Sequence, residues 1–435
     1  MNFNFLFSSL FFFVILLSIL VVFLKNIKFY KILILCFFIR LIFIFININF
    51  FILPDCCGDA FNWEWNAWNW AKNGLSEVYS EVAYLSHGNS WAYSKFISFI
   101  YLLTGRNYIL IILINLSISF YTLHWLIKIC NELKFTEKET FICAVIFIIS
   151  PSLINYSSVT LREVYIIFMI TIIVYYLLLW IKEFDIKYFI ILSILFYINN
   201  YLHEAIFTGV LLLTFFQVYH YISSLFYLRN TDFITKIKST IFLLSLIVVI
   251  FFNHERIPYL DLLKTEGVKG FQGIPQCEII PGCEDPNQNF VDSLMNKTKI
   301  SHAGSTAYPH YLVPQNNFDT FILTIPRIIY FYTGPFIFDI KKFSHIYLYL
   351  DSLFYTFFIL VILINIKYII KNKYLFILCI FLIYFSFIFS FGTSNFGSSY
   401  RHRSKFIIFF IVIVTPFISK YFENYMKKIS NFLKK

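Results

Sequence analysis

The chain has 435 residues, 59% of them hydrophobic and only 14% charged, with 57 phenylalanines and a mean hydropathy of +0.73. Soluble domains carry about 25% charged residues, so a water-soluble globule is excluded, and so is a disordered chain, which needs low hydrophobicity to stay unfolded. The formal net charge of +11 does not point to nucleic acid, because in a membrane protein Lys and Arg first report topology.

Apolar runs of about 20 residues, the length that crosses a bilayer, recur from end to end. They predict an all-α, polytopic transmembrane bundle with spans near 4–24, 31–53, 107–130, 140–156, 160–181, 186–201, 203–225, 236–252, 344–366, 374–391 and 404–421. The first segment lacks a basic start and a small-residue cleavage site, so it is expected to be retained as a span. Eleven spans with the N-terminus outside bring Lys25, Lys28 and Lys31 to the same side as Lys128, Lys134 and Lys138. Lys182, Lys187, Arg229, Lys236, Lys238, Lys367, Lys371 and Lys373 join them, as do Lys427, Lys428, Lys434 and Lys435. By the positive-inside rule that side is cytoplasmic; ten and twelve spans are the neighbouring counts. This topology keeps 321–342, with its Pro326, Arg327, Gly334, Pro335 and Asp339, in the outer interface without crossing.

One integral membrane domain, 1–435, is therefore expected, with two long outer-face loops at 54–106 and 253–343. Cys56, Cys57, Cys277 and Cys283 fall in those loops. An oxidising outer compartment makes a Cys277–Cys283 disulfide as credible as four separate thiols. Cys36, Cys130, Cys143 and Cys379 lie in or beside apolar spans and read as packing residues.

The polar residues of interest collect in the outer turns. After Asp55 and Asp59, the stretch with Trp63, Trp65, Trp68 and Trp70 ends at Gly74 and predicts a short amphipathic helix at headgroup level. It is either an aromatic anchor with solvated aspartates or a carboxylate placed to act as a general base. Ser150 and Pro151 close one span, and Arg162 with Glu163 opens the next. That pair is either a snorkelling ion pair or a phosphate-binding Arg oriented by a carboxylate. His203 and Glu204 lie in a third turn and, about 100° apart on a helix, do not make a chelating pair by themselves. In the last turn, Gly392 and Gly397 predict a tight polar bend, after which Arg401, His402, Arg403 and Lys405 enter an apolar span. So many cationic groups on the outer side favour an anionic partner over plain headgroup anchoring. The predicted span interiors are nearly free of ionisable residues, Arg40 being the main one, with His124 near an inner end. That one-sided polarity argues against a transporter or lipid flippase. Neither GxxxxGK[ST] nor GxGxxG is present.

The stretch GDAFNWEWNAWNWAKNG resembles the start of GT-C-type glycosyltransferases, the polytopic enzymes related to dolichyl-phosphate-mannose protein mannosyltransferases and bacterial lipid A aminoarabinose transferases. SPSLINYSSVTLRE is similar to their polar turn after a span ending in Ser-Pro. RIIYFYTGPF and GTSNFGSSYRHRSKF resemble segments of envelope polysaccharide membrane proteins, O-antigen polymerase-like ones among them. The resemblance covers roughly 54–205 and 321–410. It implies a sugar moved from a polyprenyl-phosphate-linked donor to a glycan or lipid acceptor at the outer, periplasmic leaflet of the inner (plasma) membrane, in cell-envelope glycan synthesis. Asp59 and Glu163 would be the catalytic carboxylates, with Asp59 deprotonating the acceptor. Arg162, His203, Glu204, Arg327, Arg401, His402 and Arg403 would bind substrate, the arginines neutralising the donor phosphate. No cofactor is called for, and a divalent metal ion is left open. The paired acidic residue of the family motif is replaced by Ala60. An O-antigen-type polymerase built around the arginines is the nearest alternative.

Overall fold

A computed structural model describes residues 3–50, 53–56, 58–78, 92–227, 306–313, 317–341 and 343–433. Their regular structure is helical, and the only β pairing among them is a single bridge between Ala307 and Asn395. In chain order the helices are α1 Phe3–Lys25, α2 Tyr30–Phe50, α3 Asp59–Asn73, α4 Ala92–Thr104, α5 Tyr108–Glu132, α6 Glu137–Ile149, α7 Pro151–Tyr156, α8 Glu163–Glu183 and α9 Ile186–Asn200. They continue with α10 Gly209–Tyr227, α11 Asn317–Ile322, α12 Thr324–Thr333, α13 Phe343–Ile364, α14 Ile366–Lys371, α15 Lys373–Phe391, α16 Phe396–Ser404 and α17 Ile407–Leu433.

Among the described residues, seven helices are long and apolar enough to cross a membrane: α1, α2, α5, α8, α13, α15 and α17, each over 19 residues or more. α5 packs against both α1 and α8, while α17 packs against α6, α13 and α15, and the buried residues of these seven helices belong to one continuous apolar core.

The remaining predicted spans differ in instructive ways. The stretch 140–156 divides at Ser150, which is extended, because Pro151 disfavours a helical residue before it and has no N–H to continue the ladder. α6 and α7 are therefore separate pieces. α9 has 15 residues, about 22 Å of rise, short of the roughly 30 Å hydrocarbon core. The next apolar stretch opens with a 3-10 turn, Glu204–Thr208, before α10. The predicted span 236–252, and both Cys277 and Cys283, lie outside the described residues, as does Cys57; Cys56 is buried. Within 321–342 the longest helix is α12, ten residues and about 15 Å, too short to cross. Cys36, Cys130, Cys143 and Cys379 are buried.

The bundle has two chemically different ends. Exposed pairs Lys28–Glu137 (2.9 Å), Lys182–Glu132 (3.1 Å) and Lys138–Glu423 (3.1 Å) link the α1–α2 turn, the α5–α6 turn, the end of α8 and the tail of α17. Glu163 sits at the other end of α8, about 30 Å away by helical rise. Most of the polar residues singled out in the sequence assemble there.

Candidate active site

The first component is α3. Ala60, Glu64, Ala67 and Ala71 form its buried stripe at spacings of four and three residues, which lets it seat against α4. Glu64, almost fully buried, accepts two hydrogen bonds from Arg106 (2.9 and 2.7 Å) and one from Tyr101 (2.8 Å). Gly74, at φ 96°, ends the helix in a conformation that favours glycine. Asp59 stands at the N-terminus of α3 and Trp63 one turn further on.

The second component is the turn between α7 and α8. Its backbone carbonyls are held by buried amides from other helices: Asn47 donates to Ser158 O (3.0 Å) and Asn115 to Val159 O (2.7 Å). Thr160 in turn donates to Ala60 O (3.3 Å), joining the turn to α3. Arg162 and Glu163 leave this fixed platform at the start of α8, where an acidic side chain also complements the positive end of the helix.

The third is α16. The glycines around it predicted a tight bend, but Asn395 caps a nine-residue helix instead, its side chain accepting from Ser398 N (2.7 Å). Helical geometry then separates the basic residues. Arg401 and Lys405, four apart, share a face, whereas Arg403 is turned by about 200° to the other side.

These components meet at Arg401. Its Nε donates to Glu163 Oε1 at 2.6 Å, and its NH1 pairs with Asp59. The guanidinium carbons of Arg162 and Arg401 lie 4.4 and 5.0 Å from the centre of the Trp63 ring, a stacking that favours Arg. Glu163 is fully buried, whereas the Asp59 side chain is 53% exposed, so Asp59 is the carboxylate at the mouth. His203 and His402 face each other with ring centres 5.3 Å apart, and Glu204 lies in the field of Arg162. Asp59, Arg162, Glu163, His203, Glu204, Arg401 and His402 are thus brought to one place.

Arg327 and Arg403 have other partners. Arg403 is fully buried and donates to Asp351 (2.9 Å) and to the carbonyls of Phe331, Tyr332, Gly334 and Leu348. Arg327 donates to Thr393 O at 2.7 Å, and burial pushes its guanidinium down to about 10. Arg403 pins α12, α13 and α16 together. Its counter-ion Asp351 lies inside the span α13, so the span interiors hold more than Arg40 and His124. An isolated Asp in an apolar run carries no sign of its partner 52 residues away. We predict that Asp351→Asn destabilises the protein by about 3–5 kcal/mol in thermal unfolding, because it strips a buried cation of its partner. A double-mutant cycle with Arg403→Met, which also gives up the carbonyl contacts of that guanidinium, should show coupling between the two positions; strict additivity would refute the ion-pair account.

Asp55 is a further member that the sequence located but gave no separate role. It has φ 64°, an uncommon conformation for a residue other than glycine, and accepts from Tyr156 OH at 3.3 Å. Burial pushes its carboxyl up to about 6; Arg401 opposes the shift, while Glu163 and Asp59 add to it. A carboxyl whose folded pKa is raised is penalised above that pKa, and the penalty disappears as pH falls toward the ordinary carboxylate range. Asp55→Asn should therefore raise the melting temperature at pH 8 and leave it nearly unchanged at pH 4. An equal shift at both pH values would exclude titration as the cause.

The electrostatics of the cluster are tight. Burial lowers the Arg162 guanidinium to about 10, Glu163 opposing and Arg401 reinforcing the shift. Arg401 keeps its proton despite burial, held well above the usual range by Glu163, Asp55 and Asp59. Nε and NH1 of Arg162, NH2 of Arg401, Oε2 of Glu163 and Nδ1 of His203 are buried with no hydrogen-bond partner. Buried polar atoms are ordinarily paired, and these guanidinium nitrogens keep donor capacity that no described protein group takes up. Among the described residues no group of three or more His, Cys, Asp or Glu side chains is arranged to hold a metal ion. The chain matches no family model, no curated protein and no solved structure.

Proposed function

We propose that this protein is a multi-pass membrane glycosyltransferase that moves a sugar from a polyprenyl-phosphate donor to a glycan or lipid acceptor. The observation that carries the reading is the pair Arg162 and Arg401, converging on Trp63 with unpartnered N–H groups beside the half-exposed carboxylate of Asp59. Unsatisfied guanidinium donors suit a phosphate, whose oxygens accept them in fork geometry.

In the reaction, Asp59 takes the proton of the acceptor hydroxyl. That oxygen bonds to the anomeric carbon as the bond from carbon to the phosphate oxygen breaks. The departing prenyl phosphate keeps the electron pair, and Arg162 and Arg401 stabilise its growing charge in a site largely shielded from water. Asp59 starts out paired with Arg401, so a phosphate arriving on Arg401 would release the carboxylate for proton transfer.

The topology belongs to the same proposal. With about eleven spans and the lysine-rich end cytoplasmic, the cluster faces the outer side of the inner membrane. Cytosolic nucleotide donors would not reach it. A polymerase reading, in which the arginines act without Asp59, draws on the same buried guanidiniums. The test is to reconstitute the full chain in vesicles with radiolabelled polyprenyl-phosphate sugar and an envelope glycan extract. Transfer of label, with release of polyprenyl phosphate, supports the proposal. Absence of turnover across mono- and diphosphate donors of several sugars would refute it.

A further inference from the structure

Behind the arginine pair lies a second group of nitrogen bases that the proposed transfer does not use. Lys405 is fully buried, and its Nζ lies 2.7 Å from His402 Nδ1. The His402 ring faces the His203 ring. All three side chains gather round Phe389 of α15: the His203 and His402 ring centres lie 4.9 and 5.3 Å from that of Phe389, and Lys405 Nζ lies 5.3 Å from it. Two separate chain segments, the turn at His203 and the end of α16, thus place their basic groups around one apolar ring of a third.

The charged groups facing this assembly are Glu163 and Arg162 at the start of α8 and Arg401 on α16, with Asp59 and Glu204 bordering Arg162. A lysine this close to a histidine nitrogen, beside two guanidiniums and one buried carboxylate already bound to Arg401, has little to hold an extra proton. Burial acts first, driving the Lys405 amine well below its usual range; Glu163 opposes this, and Arg162 and Arg401 add to it. Burial likewise drives His203 well down, with Lys405, His402 and the two arginines reinforcing the shift.

We propose that Lys405 takes up a proton when an anion binds: it is a neutral amine when the arginines carry no anion, and an ammonium once a phosphate group docks on Arg162 and Arg401. The inference rests on the anion reading given under Proposed function. A phosphate monoester dianion, such as the prenyl phosphate that the transfer releases, reverses the local field, and protonated Lys405 offsets charge that the two guanidiniums, already engaged by Glu163 and Asp59, do not fully balance. Binding and proton uptake are then linked, so affinity falls as pH rises through the interval in which the proton is taken up. His402 Nδ1 holds the amine in place at 2.7 Å.

The test is calorimetric titration of the detergent-solubilised full chain at pH 8 with a short-chain prenyl phosphate, in buffers of different ionisation enthalpy. A phosphate monoester has a second pKa of about 6, so at pH 8 it is already doubly charged and any proton taken up goes to the protein. Uptake approaching one proton per ligand is expected, with Kd weakening by up to about tenfold per pH unit while uptake persists. Lys405→Arg, which is permanently charged, should bind without uptake and with a flat pH profile; Lys405→Met should also lose the uptake. Binding by the wild-type chain without uptake overturns the inference alone, as does full uptake in Lys405→Arg. Failure of both prenyl phosphate and inorganic phosphate to bind overturns the anion reading and this inference with it. Equal uptake with inorganic phosphate upholds the linkage and identifies a free phosphate, not the lipid, as sufficient.

Discussion

Replacing Arg401 with alanine is expected to destabilise the protein by about 3–5 kcal/mol, the usual cost of leaving a buried charge without its partner, and to abolish sugar transfer. Both effects follow from one position. Glu163 is fully buried and accepts a hydrogen bond from Arg401 at 2.6 Å. Without the guanidinium, a carboxylate at the head of α8 would face Asp55 and Asp59 with Lys405 and Arg162, whose Nε is 4.0 Å away, as the remaining counterweights. Trp63 would also lose one of its two stacked cations. Arg401→Lys separates the two effects, because a lysine restores charge but not the planar fork. It should recover much of the stability and little of the activity. Thermal unfolding in detergent beside the vesicle assay gives both readings. An Arg401→Ala protein as stable as wild type would show that the cluster is not the hub it is taken to be.

The second large effect is expected at Asp59, and it should fall on turnover alone. Asp59→Asn keeps the shape of the side chain but removes the base, and loss of a positioned general base typically costs about 10²–10⁴ in rate. Stability should change little, since the side chain is 53% exposed and exposed ion pairs contribute about 0–1 kcal/mol. The same variant separates the two enzymatic readings. Undiminished turnover of Asp59→Asn would remove the base and leave arginine-centred polymerisation, whereas retained donor binding with lost turnover places Asp59 in the chemical step.

Much of the molecule was legible residue by residue. The apolar runs marked out helices long enough to cross a membrane because hydropathy accumulates along the chain. Gly74 stopped α3 where the sequence placed the stop, and Ser150-Pro151 carried a break that hydropathy alone ran through, since an apolar average does not register a missing N–H. The grouping of polar residues in alternate turns anticipated which of them would meet. What the turns did not reveal was which basic residues share a face. Reading the Arg401–Lys405 stretch with a helical period would have set Arg403 apart, but the glycines around it argued for a bend, and the cap by Asn395 decided otherwise.

The sequence by itself determined that this is an all-helical protein with several membrane-length apolar helices, because burial in lipid is a property each segment carries in its own composition. Only the tertiary structure decided that Arg401 joins Glu163, 238 residues away, and Asp59, 342 residues away. It alone placed Asp351 beneath Arg403 and Lys405 against His402. Those pairings depend on helix rotation and on which turns the packed bundle brings together. A local pattern holds no record of either, because the energy of an ion pair resides in the distance between its partners and not in the segments that supply them.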